Sequence, residues 1–251
     1  MRLAHELESI WALMWRDLVR FSRDRNQVLG AIARPLLWLL LMGKGLRAAL
    51  PQVDGLDYQA FVFAGALAMT TLFSGTFQGV TIIWDREFGF LKEVLVAPIA
   101  RTTIVLGKVL SGASVTFFTG IATIVFAPLV HVHLSVGSVA ALAGVLALWS
   151  IAVTALGVVI ATRMETFEGF GVISNFVILP LYFLSGGVFP VEHLPGWMAV
   201  LVRVNPTTYA VDLMRHALGQ PAAFPLALGV LVLAGFTAAM VVLSLALFKR
   251  G

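Results

Sequence analysis

The sequence lacks cysteine and has few charged residues. None of its 251 residues is Cys, and Asp, Glu, Lys and Arg together make up 12%, against roughly 25% in ordinary soluble domains. The absence of Cys excludes disulfide frameworks, thiolate metal sites and cysteine nucleophiles. Hydrophobic residues make up 59% of the chain, and its mean hydropathy is +0.95. These values exclude a disordered chain and argue against a water-soluble globule.

Motifs that bind nucleotides or catalytic metals are also missing. A P-loop requires GxxxxGK followed by Ser or Thr, but Gly follows Lys44 and Val follows Lys108. The HExxH pattern of zinc proteases is absent, and His131 and His133 have no carboxylate neighbours that could complete a metal site. We therefore predict no catalytic residue, no metal and no cofactor bound by this chain.

Two groups of small residues lie within apolar segments. Gly75 and Gly79 form a GxxxG pattern, and Ser185 precedes two glycines. Small residues let membrane helices approach each other closely, so we predict a packing role for both groups. A nucleophilic role for Ser185 is the weaker alternative.

Long apolar runs account for most of the chain. A bilayer crossing needs roughly 20 apolar residues, and each of these runs is near that length. The predicted spans are 30–48, 59–83, 104–128, 137–161, 170–189 and 224–248. The sequence thus predicts an all-α integral membrane protein, with residues 1–251 forming one transmembrane domain of six helices.

The segment 1–27 is predicted to be an amphipathic helix at the membrane interface. Apolar residues recur there in steps of three or four positions, which is the helical repeat. They are Leu3, Leu7, Ile10, Trp11, Met14, Leu18 and Phe21. Arg16, Asp17 and Arg20 occupy the other side, and a helix of this kind lies among lipid headgroups. A soluble helix packed on a neighbour is the alternative.

Basic residues concentrate on one side of the predicted spans. The chain has 17 Lys and Arg against 13 acidic residues. With the N-terminus inside, only Lys44, Arg47, Arg203 and Arg215 fall outside. The positive-inside rule therefore predicts that both termini are cytoplasmic. The formal charge of +4 is then explained by membrane orientation, and no nucleic-acid partner is predicted.

The cytoplasmic loop 84–103 combines charged residues with apolar ones. Residues from Glu87 to Val96 can form a short amphipathic helix, which Pro98 would stop. A solvated loop does not need exposed Phe and Leu side chains, so this segment is predicted to dock a cytoplasmic partner. A helix that rests on the bilayer interface is the alternative.

The extracytoplasmic segment 190–223 is too long and too apolar for a simple loop. Pro195 can start a short helix, and Thr207 or Thr208 can cap a second one that stops at Gly219. Neither helix is long enough to cross the bilayer, so we predict re-entrant or interfacial helices. A lid without functional consequence is the alternative.

Ionisable residues are sparse inside the predicted spans. Arg34, Lys44 and Lys108 lie near span ends, where their charged heads can snorkel to water. Ion-coupled carriers usually need embedded carboxylates or His to bind the coupling ion. The sequence therefore predicts a transporter that takes its energy from another source.

The motifs and their order resemble the permease subunits of type-2 ABC exporters. This group contains daunorubicin-resistance, lipo-oligosaccharide-nodulation and O-antigen permeases. The resemblance covers nearly the whole chain, from the N-terminal helix through six spans. It is carried by Asp85–Glu93 with Val96–Pro98, by Leu184–Pro190 with Leu194, Pro195 and Trp197, and by Asn205–Tyr209 with Arg215.

The resemblance implies a complex of two permease chains with two ABC ATP-binding subunits. ATP and Mg would bind in the partner subunits, and the permease would be a homodimer or one half of a heterodimer. The N-terminal helix would touch the ATPase, and the loop after the second span would form the coupling helix. The implied coupling residues are Arg86, Glu87, Phe88, Gly89, Phe90, Leu91, Lys92 and Glu93.

The resemblance also implies an outer gate and a substrate path in the inner membrane of a prokaryote. Residues of the re-entrant gate would be Phe189, Pro190, Pro195, Trp197, Asn205, Pro206, Tyr209 and Arg215. Residues of the substrate path would be Thr70, Phe73, Phe77, Asn175, Phe176, Tyr182 and Phe183, with ordinary packing as the alternative for each.

The aromatic composition bears on the cargo. The chain has 18 Phe and 3 Tyr. A lining of Phe, Met and Leu suits an amphipathic drug or lipid, as in multidrug resistance, better than a polysaccharide, whose conduits often use rings with hydrogen-bonding tips. Export of a lipid-linked glycan stays open. An ion-coupled secondary carrier, a membrane-embedded enzyme and an assembly scaffold are the alternatives outside this family.

Overall fold

The computed structural model describes residues 2–23, 25–47, 52–53, 55–87, 100–191 and 194–248. The helices of this part of the chain are numbered in order. They are α1 (Arg2–Arg23), α2 (Arg25–Arg47), α3 (Tyr58–Gln78), α4 (Val80–Glu87), α5 (Arg101–Ile124), α6 (Val136–Ala161), α7 (Phe167–Phe183), α8 (Gly196–Val204), α9 (Pro206–Leu218) and α10 (Leu226–Phe248). A short antiparallel hairpin, β1 (Gln52–Val53) and β2 (Leu56–Asp57), precedes α3, and a 3₁₀ turn covers Ala127–Val130.

Side-chain oxygens cap the N-termini of several helices. Asp57, Ser135 and Thr166 each accept a hydrogen bond from a backbone N–H in the first turn of α3, α6 and α7. Such caps satisfy N–H groups that have no partner within the helix. They fix where these helices begin.

The cap of α9 differs from the prediction. Asn205 is the capping residue, and its Oδ1 accepts a hydrogen bond from the N–H of Thr207 at 2.9 Å. The expectation that Thr207 or Thr208 caps this helix is therefore wrong. Pro206 occupies the first helical position, where its missing N–H costs nothing, so the helix begins earlier. Gly219, with φ 67°, ends it as expected.

Helix α6 lies at the centre of the described bundle. It packs against α3, α5 and α10, and its Trp149 is fully buried, with its ring 6.4 Å from that of Phe236 on α10. Leu142 and Leu146 are likewise fully buried. The core therefore surrounds one face of α6 along most of its length.

Glycines let α3 and α6 approach each other closely. A Cβ built on Gly79 would lie 2.2 Å from the carbonyl oxygen of Gly157, and one built on Gly157 would lie 2.1 Å from that of Thr76. A Cβ on Gly75 would lie 2.3 Å from the side chain of Val153. These contacts confirm the predicted packing role of Gly75 and Gly79.

Buried hydroxyls in the spans bond to their own helices. Thr71, Thr116, Thr119 and Thr123 each donate to the carbonyl four residues earlier at 2.7–2.9 Å. This arrangement satisfies a polar group without a partner on another helix. These threonines need no water at membrane depth.

Within the described residues, four helical segments are long and apolar enough to cross a membrane. They are Tyr58–Glu87, Thr102–Ile124, Val136–Ala161 and Leu226–Phe248, which match the second, third, fourth and sixth predicted spans. The first and fifth correspond to the shorter apolar stretches Pro35–Gly45 and Phe167–Phe183. The structure thus supports an all-α membrane protein, and the number of six spans stays a prediction.

Helix α1 packs beside α5, and the protein covers its apolar face only in part. Ile10, Met14 and Phe21 are half-buried, whereas Trp11 on the same face is 63% exposed. Asp17 on the other side is half-buried, because α5 offers it a hydroxyl partner, described below. The location of this helix at the membrane interface stays a prediction.

Candidate functional site

A buried ion pair joins the C-terminal half of α4 to the N-terminal half of α5. The Nζ atom of Lys108 lies 2.5 Å from Oδ2 of Asp85, and the two side chains are 8% and 15% exposed. The expectation that Lys108 snorkels to water is wrong, because Asp85 neutralises its ammonium group within the protein. Removing one partner would leave an uncompensated charge in a poorly solvated place.

A second carboxylate joins α1 to α5. The hydroxyl of Ser111 donates to Oδ2 of Asp17 at 2.8 Å. The other carboxylate oxygen lies 2.9 Å from Nη2 of Arg16 on the same helix. Both oxygens of Asp17 are therefore engaged, one of them across a helix interface.

The third contact of this region joins α1 to α4. The guanidinium carbon of Arg20 lies 5.3 Å from the ring centroid of Trp84, which is within cation–π range. Between the three helices lies a pocket whose polar lining includes Asp17, Arg20 and Lys108. Its charges are of both signs, so the lining alone selects neither an anion nor a cation.

The predicted coupling residues begin at the end of α4. Arg86 and Glu87 are exposed, and Nη1 of Arg86 donates to the carbonyl oxygen of Met164 at 3.1 Å. This bond connects α4 to the turn between α6 and α7. The other predicted coupling residues, Phe88, Gly89, Phe90, Leu91, Lys92 and Glu93, lie outside the described residues.

On the opposite side of the bundle, α9 binds the end of α7. Nδ2 of Asn205 donates to the carbonyl oxygens of Leu181 and Leu184 at 2.7 and 2.9 Å. The hydroxyl of Thr208 lies 3.2 Å from the same Leu184 oxygen. The last carbonyls of a helix have no partner within it, so these side chains provide the C-terminal cap of α7.

Arg215 and Tyr58 hold the turn that follows α7. Nη2 of Arg215 donates to the carbonyl oxygen of Gly186 at 2.6 Å, and its guanidinium group lies 4.1 Å from the ring centroid of Phe61. The hydroxyl of Tyr58 donates to the carbonyl oxygen of Val188 at 3.0 Å. Both side chains are buried, so the turn is fixed between α3 and α9.

Ser185 has a structural role within this turn. Its hydroxyl donates to the carbonyl oxygen of Tyr182 at 2.6 Å and accepts from the N–H of Gly187 at 3.2 Å. Both hydrogen bonds join the Ser185 hydroxyl to backbone groups of the same turn. This agrees with the structural role predicted for this group of residues.

Asp212 fixes the chain that leads from α9 to α10. Its carboxylate accepts hydrogen bonds from the N–H groups of Ala223 and Phe224 at 2.7 and 3.0 Å. His216 is the neighbouring titratable group, with Nε2 3.9 Å from Oδ2 of Asp212. Burial raises the pKa of Asp212 above its ordinary value, against the opposing effect of these bonds and charges.

The other predicted gate residues lie around α8 and α9. Phe189 and Pro190 follow the turn, Pro195 precedes the first residue of α8, and Trp197 on α8 is exposed. The hydroxyl of Tyr209 donates to the carbonyl oxygen of Arg203 at 2.8 Å. Asn205 and Arg215 are thus the gate residues that contact the end of α7 and the turn after it.

The predicted substrate-path residues do not lie on one surface. Thr70 and Tyr182 are buried, and the ring of Tyr182 packs edge-on against that of Trp38 at 5.7 Å. Phe73 and Phe77 are half-buried and stack on each other at 6.4 Å. These four side chains pack within the bundle of this single chain.

The three remaining path residues lie on the outer face of α7. Asn175, Phe176 and Phe183 are exposed, and Nδ2 of Asn175 donates to the carbonyl oxygen of Gly171 on its own helix. Either lipid or a second protein chain can cover this face. The structure therefore separates the predicted path into a packed group and a surface group.

Sequence reasoning missed the residues that join α1, α4 and α5. Asp17, Lys108 and Ser111 were not predicted to form a site. A usable signal was present, since Lys108 and Ser111 stand one helical turn apart in an otherwise apolar run and share one helix face. No group of three His, Asp or Glu capable of holding a metal ion occurs within the part of the chain that the structure describes.

Comparison with known families gives a match over most of the chain. Residues 8–219 match the family described as ABC-2 type transporter. The matched region contains the contacts between α1, α4 and α5 as well as the contacts between α7 and α9.

Comparison with characterised proteins gives relatives of similar length. Nodulation protein J of Rhizobium leguminosarum bv. viciae is 31% identical over 219 residues, which cover 85% of this chain and 84% of the relative. Nodulation protein J of Sinorhizobium fredii is 29% identical over 244 residues, covering 96% and 93%. A transport permease of Cyanophora paradoxa, ycf38, is 26% identical over 213 residues, covering 83% and 73%.

Proposed function

Because the chain belongs to the ABC-2 type transporter family, we propose that it is the membrane-spanning permease subunit of an ATP-driven exporter. The observation that carries this proposal is the family match over residues 8–219, which covers most of α1 and every other described helix except the last. The long apolar helices agree with a path through a bilayer. The energy comes from a separate ABC ATP-binding subunit, which holds ATP and Mg.

The complex contains two permease chains and two ATP-binding subunits. The exposed face of α7, with Phe176 and Phe183, supports contact with a second copy of the chain or with lipid. The protein is multi-pass in the inner membrane of a prokaryote, with both termini in the cytoplasm. The surplus of basic residues on the predicted inner side supports this orientation.

The ATP-binding subunit docks on the cytoplasmic segment that starts at Arg86 and Glu87. Exposure of both side chains at the end of α4 supports this role. Helix α1 provides a second contact with the ATPase. Closure of the ATPase dimer on ATP shifts the population of permease conformations, because nucleotide binds one conformation more tightly than the other.

The cargo is amphipathic or lipid-like, such as a drug or a lipid. The 18 Phe and 3 Tyr of the chain support an apolar path. The second candidate is a lipid-linked glycan. It is favoured by the relatives named Nodulation protein J, since nodulation permeases are the lipo-oligosaccharide branch of the resemblance noted from the sequence.

The first experiment is purification of the tagged chain from its native membranes in mild detergent, followed by mass spectrometry of the intact complex. We expect two copies of the chain with two P-loop ATPase subunits. A lone chain, under conditions that keep other membrane complexes intact, would contradict the exporter and favour an ion-coupled carrier. With the complex in hand, stimulation of vanadate-sensitive ATPase by lipids, drugs or lipid-linked glycans separates the cargo classes.

The coupling role is tested by the double variant Glu87→Ala, Phe90→Ala. It is expected to assemble poorly with the ATP-binding subunit or to lose transport. The matched control is Glu165→Ala, an exposed acidic residue on the turn between α6 and α7. Normal transport by the double variant would refute the coupling role of this segment.

A further inference from the structure

One face of α5 binds two neighbouring helices through carboxylates. Lys108 pairs with Asp85 of α4 at 2.5 Å, and Ser111 donates to Asp17 of α1 at 2.8 Å. Lys108 and Ser111 are three residues apart, so they stand one above the other on the same helix face. We call Asp85, Lys108, Asp17 and Ser111 the cytoplasmic bridge.

The bridge closes into a triangle through the remaining pair of helices. Arg20 of α1 lies over the ring of Trp84 of α4 at 5.3 Å. Each of the three helices is therefore tied to both of the others by a polar or cation–π contact. Bending one helix end away from the triangle would expose a buried charge or break a carboxylate bond.

A local irregularity separates α4 from α3. The N–H of Gly79 bonds to the carbonyl of Thr76 at 3.1 Å, and the N–H of Ile82 bonds to that of Gly79 at 3.0 Å. These are bonds to the third preceding residue, the 3₁₀ pattern, which inside a long helix often marks a hinge. On the α3 side, Gly79 and Thr76 are packed against Gly157 of α6.

The cytoplasmic bridge and the irregularity at Gly79 together determine which helices move with α4. On the C-terminal side of Gly79, α4 contacts α5 and α1 through the bridge and through Trp84. It ends at Arg86 and Glu87, which are exposed and begin the segment proposed to bind the ATP-binding subunit. On the N-terminal side of Gly79, α3 packs on α6. A displacement of α4 therefore reaches α5 and α1 through these polar contacts, and it reaches α6 and α7 through the buried side chains of Ile82 and Ile83 and the bond from Arg86 to Met164.

We propose that the cytoplasmic bridge makes the inner ends of α1, α4 and α5 move as one body when ATP binds. This inference rests on the proposed function, because it needs the ATP-binding subunit as the source of movement. Asp85, Lys108, Asp17 and Ser111 are positioning residues in it. They couple the positions of the three helices and contact neither the nucleotide nor the cargo.

The first test locks the bridge covalently. The chain has no Cys, so Asp17→Cys with Ser111→Cys provides the one thiol pair of this chain, and a short bis-methanethiosulfonate joins it through two disulfides with loss of two sulfinate groups. The purified complex with its ATP-binding subunits, in lipid nanodiscs, is assayed for ATP hydrolysis before and after crosslinking. The two substitutions remove the contact between Asp17 and Ser111, and the crosslink restores a link between α1 and α5. If these helices move together, crosslinking should leave the ATPase rate of the double variant within about two-fold or return it toward that of the wild type.

Loss of ATPase activity on crosslinking, restored by a reductant that cleaves the link, would overturn the proposal, since α1 and α5 would then have to separate. The controls are the single variants Asp17→Cys and Ser111→Cys treated with the same reagent. Their rates correct for any effect of the substitutions themselves.

The second test breaks the bridge without leaving a lone charge. In the double variant Asp85→Asn, Lys108→Gln both side chains are neutral, so the ion pair between α4 and α5 is lost. Closure of the ATP-binding subunits then moves α4 without the ion pair that couples it to α5. We expect the ATPase rate per assembled complex to change by about five-fold or more. The charge swap Asp85→Lys with Lys108→Asp is expected to return the rate toward that of the wild type.

A purely structural role would lower the amount of complex but leave the rate per complex unchanged, and that result would overturn the proposal. If the neutral double variant yields no complex, the crosslinking test decides alone. Failure of the proposed function is distinguishable, because then the wild-type chain would purify without any ATP-binding subunit.

Discussion

At the scale of single residues, the outer half of the molecule depends on a few buried side chains with several partners each. Asn205 donates to two carbonyls at the end of α7 and also caps α9. Arg215 donates a hydrogen bond to the carbonyl oxygen of Gly186, and its guanidinium group lies over the ring of Phe61. Such residues are sensitive because any replacement leaves a buried group without a partner.

Asn205 gives a prediction that separates this site from an ordinary helix cap. Asp and Asn are equally good at most N-caps, but in Asn205→Asp a carboxylate oxygen would face the carbonyl oxygens of Leu181 and Leu184. We expect this variant to lose about 1–3 kcal/mol of unfolding free energy, measured by thermal unfolding in detergent. Ser135→Asp, at the exposed N-cap of α6, is the control and should be nearly neutral. Equal stability of the two variants would contradict the double role of Asn205.

Arg215 gives a second prediction at this scale. Arg215→Ala removes the donor to Gly186 and the cation over Phe61, so we expect a loss of about 1–3 kcal/mol in unfolding free energy. The control is Arg203→Ala, an exposed Arg on α8, which should stay within about 0.5 kcal/mol of the wild type. Equal melting temperatures for the two variants would argue against a fixed turn after α7.

At the scale of helices, much of the secondary structure follows from the sequence. Pro195, Pro206 and Gly219 mark the ends of α8 and α9 because their backbone preferences act locally. The pairing of Lys108 with Asp85 could not be predicted in the same way, since it depends on which helix ends meet. For the same reason the pattern placed Asp17 only on the polar side of α1 and did not predict that Ser111 of α5 donates a hydrogen bond to it.

The close contact between α3 and α6 leads to a third prediction. Gly157→Ala would place a methyl group 2.1 Å from the backbone oxygen of Thr76, which cannot move without shifting α3. We expect a loss of about 1–3 kcal/mol or more from overpacking, measured by thermal unfolding. Gly144→Ala on the same helix is the control, because no atom lies within 4 Å of the added Cβ. A Gly157→Ala variant as stable as that control would contradict the glycine-mediated contact.

The link from α9 to α10 gives a pH-dependent prediction. Burial raises the pKa of Asp212 in the folded protein above its ordinary value. The folded state therefore binds a proton more tightly than the unfolded state, and the resulting stability is present below about pH 4 and is lost as pH rises through the raised pKa. In Asp212→Asn this loss should be absent, so the unfolding free energy of the wild type should fall relative to the variant as pH rises.

Thermal unfolding of both proteins between acidic and neutral pH measures this difference. The charged and titratable groups that face Asp212 are His216 and Arg215, and both are present in the two proteins. A wild type that gains stability relative to Asp212→Asn with rising pH would mean that the hydrogen bonds outweigh the burial.

At the scale of the whole molecule, the end that the positive-inside rule assigns to the cytoplasm is held together by charges, and the opposite, outer end is held together by bonds to backbone carbonyls. Asp85 and Lys108 represent the first kind of contact, and Asn205 with Leu184 represents the second. The outer end fixes the turn after α7 between α3 and α9. If the helix ends at the cytoplasmic bridge move, we expect the turn after α7 to move less, because buried side chains of α3 and α9 hold it.

The orientation of the molecule in the membrane gives the last prediction. His133 and Glu165 are exposed near the two ends of α6, and the positive-inside assignment puts them on opposite sides of the membrane. In whole spheroplasts His133→Cys should react with a membrane-impermeant maleimide, whereas Glu165→Cys should react only after permeabilisation. The cysteine-free chain is the background control. The reverse pattern would invert the proposed topology.

The length of α7 has a consequence for the bilayer itself. Its 17 residues rise about 25 Å along the helix axis, whereas the 23 residues of α10 rise about 34 Å. Side chains of α9 end α7 at that height, so its exposed apolar face is shorter than the roughly 30 Å of a typical hydrocarbon core. Where lipid covers this face, the bilayer has to thin beside α7, whereas beside α10 it does not. The protein would then have a thin side and a thick side, and a lipid that approaches along the thin side would have less hydrocarbon to cross.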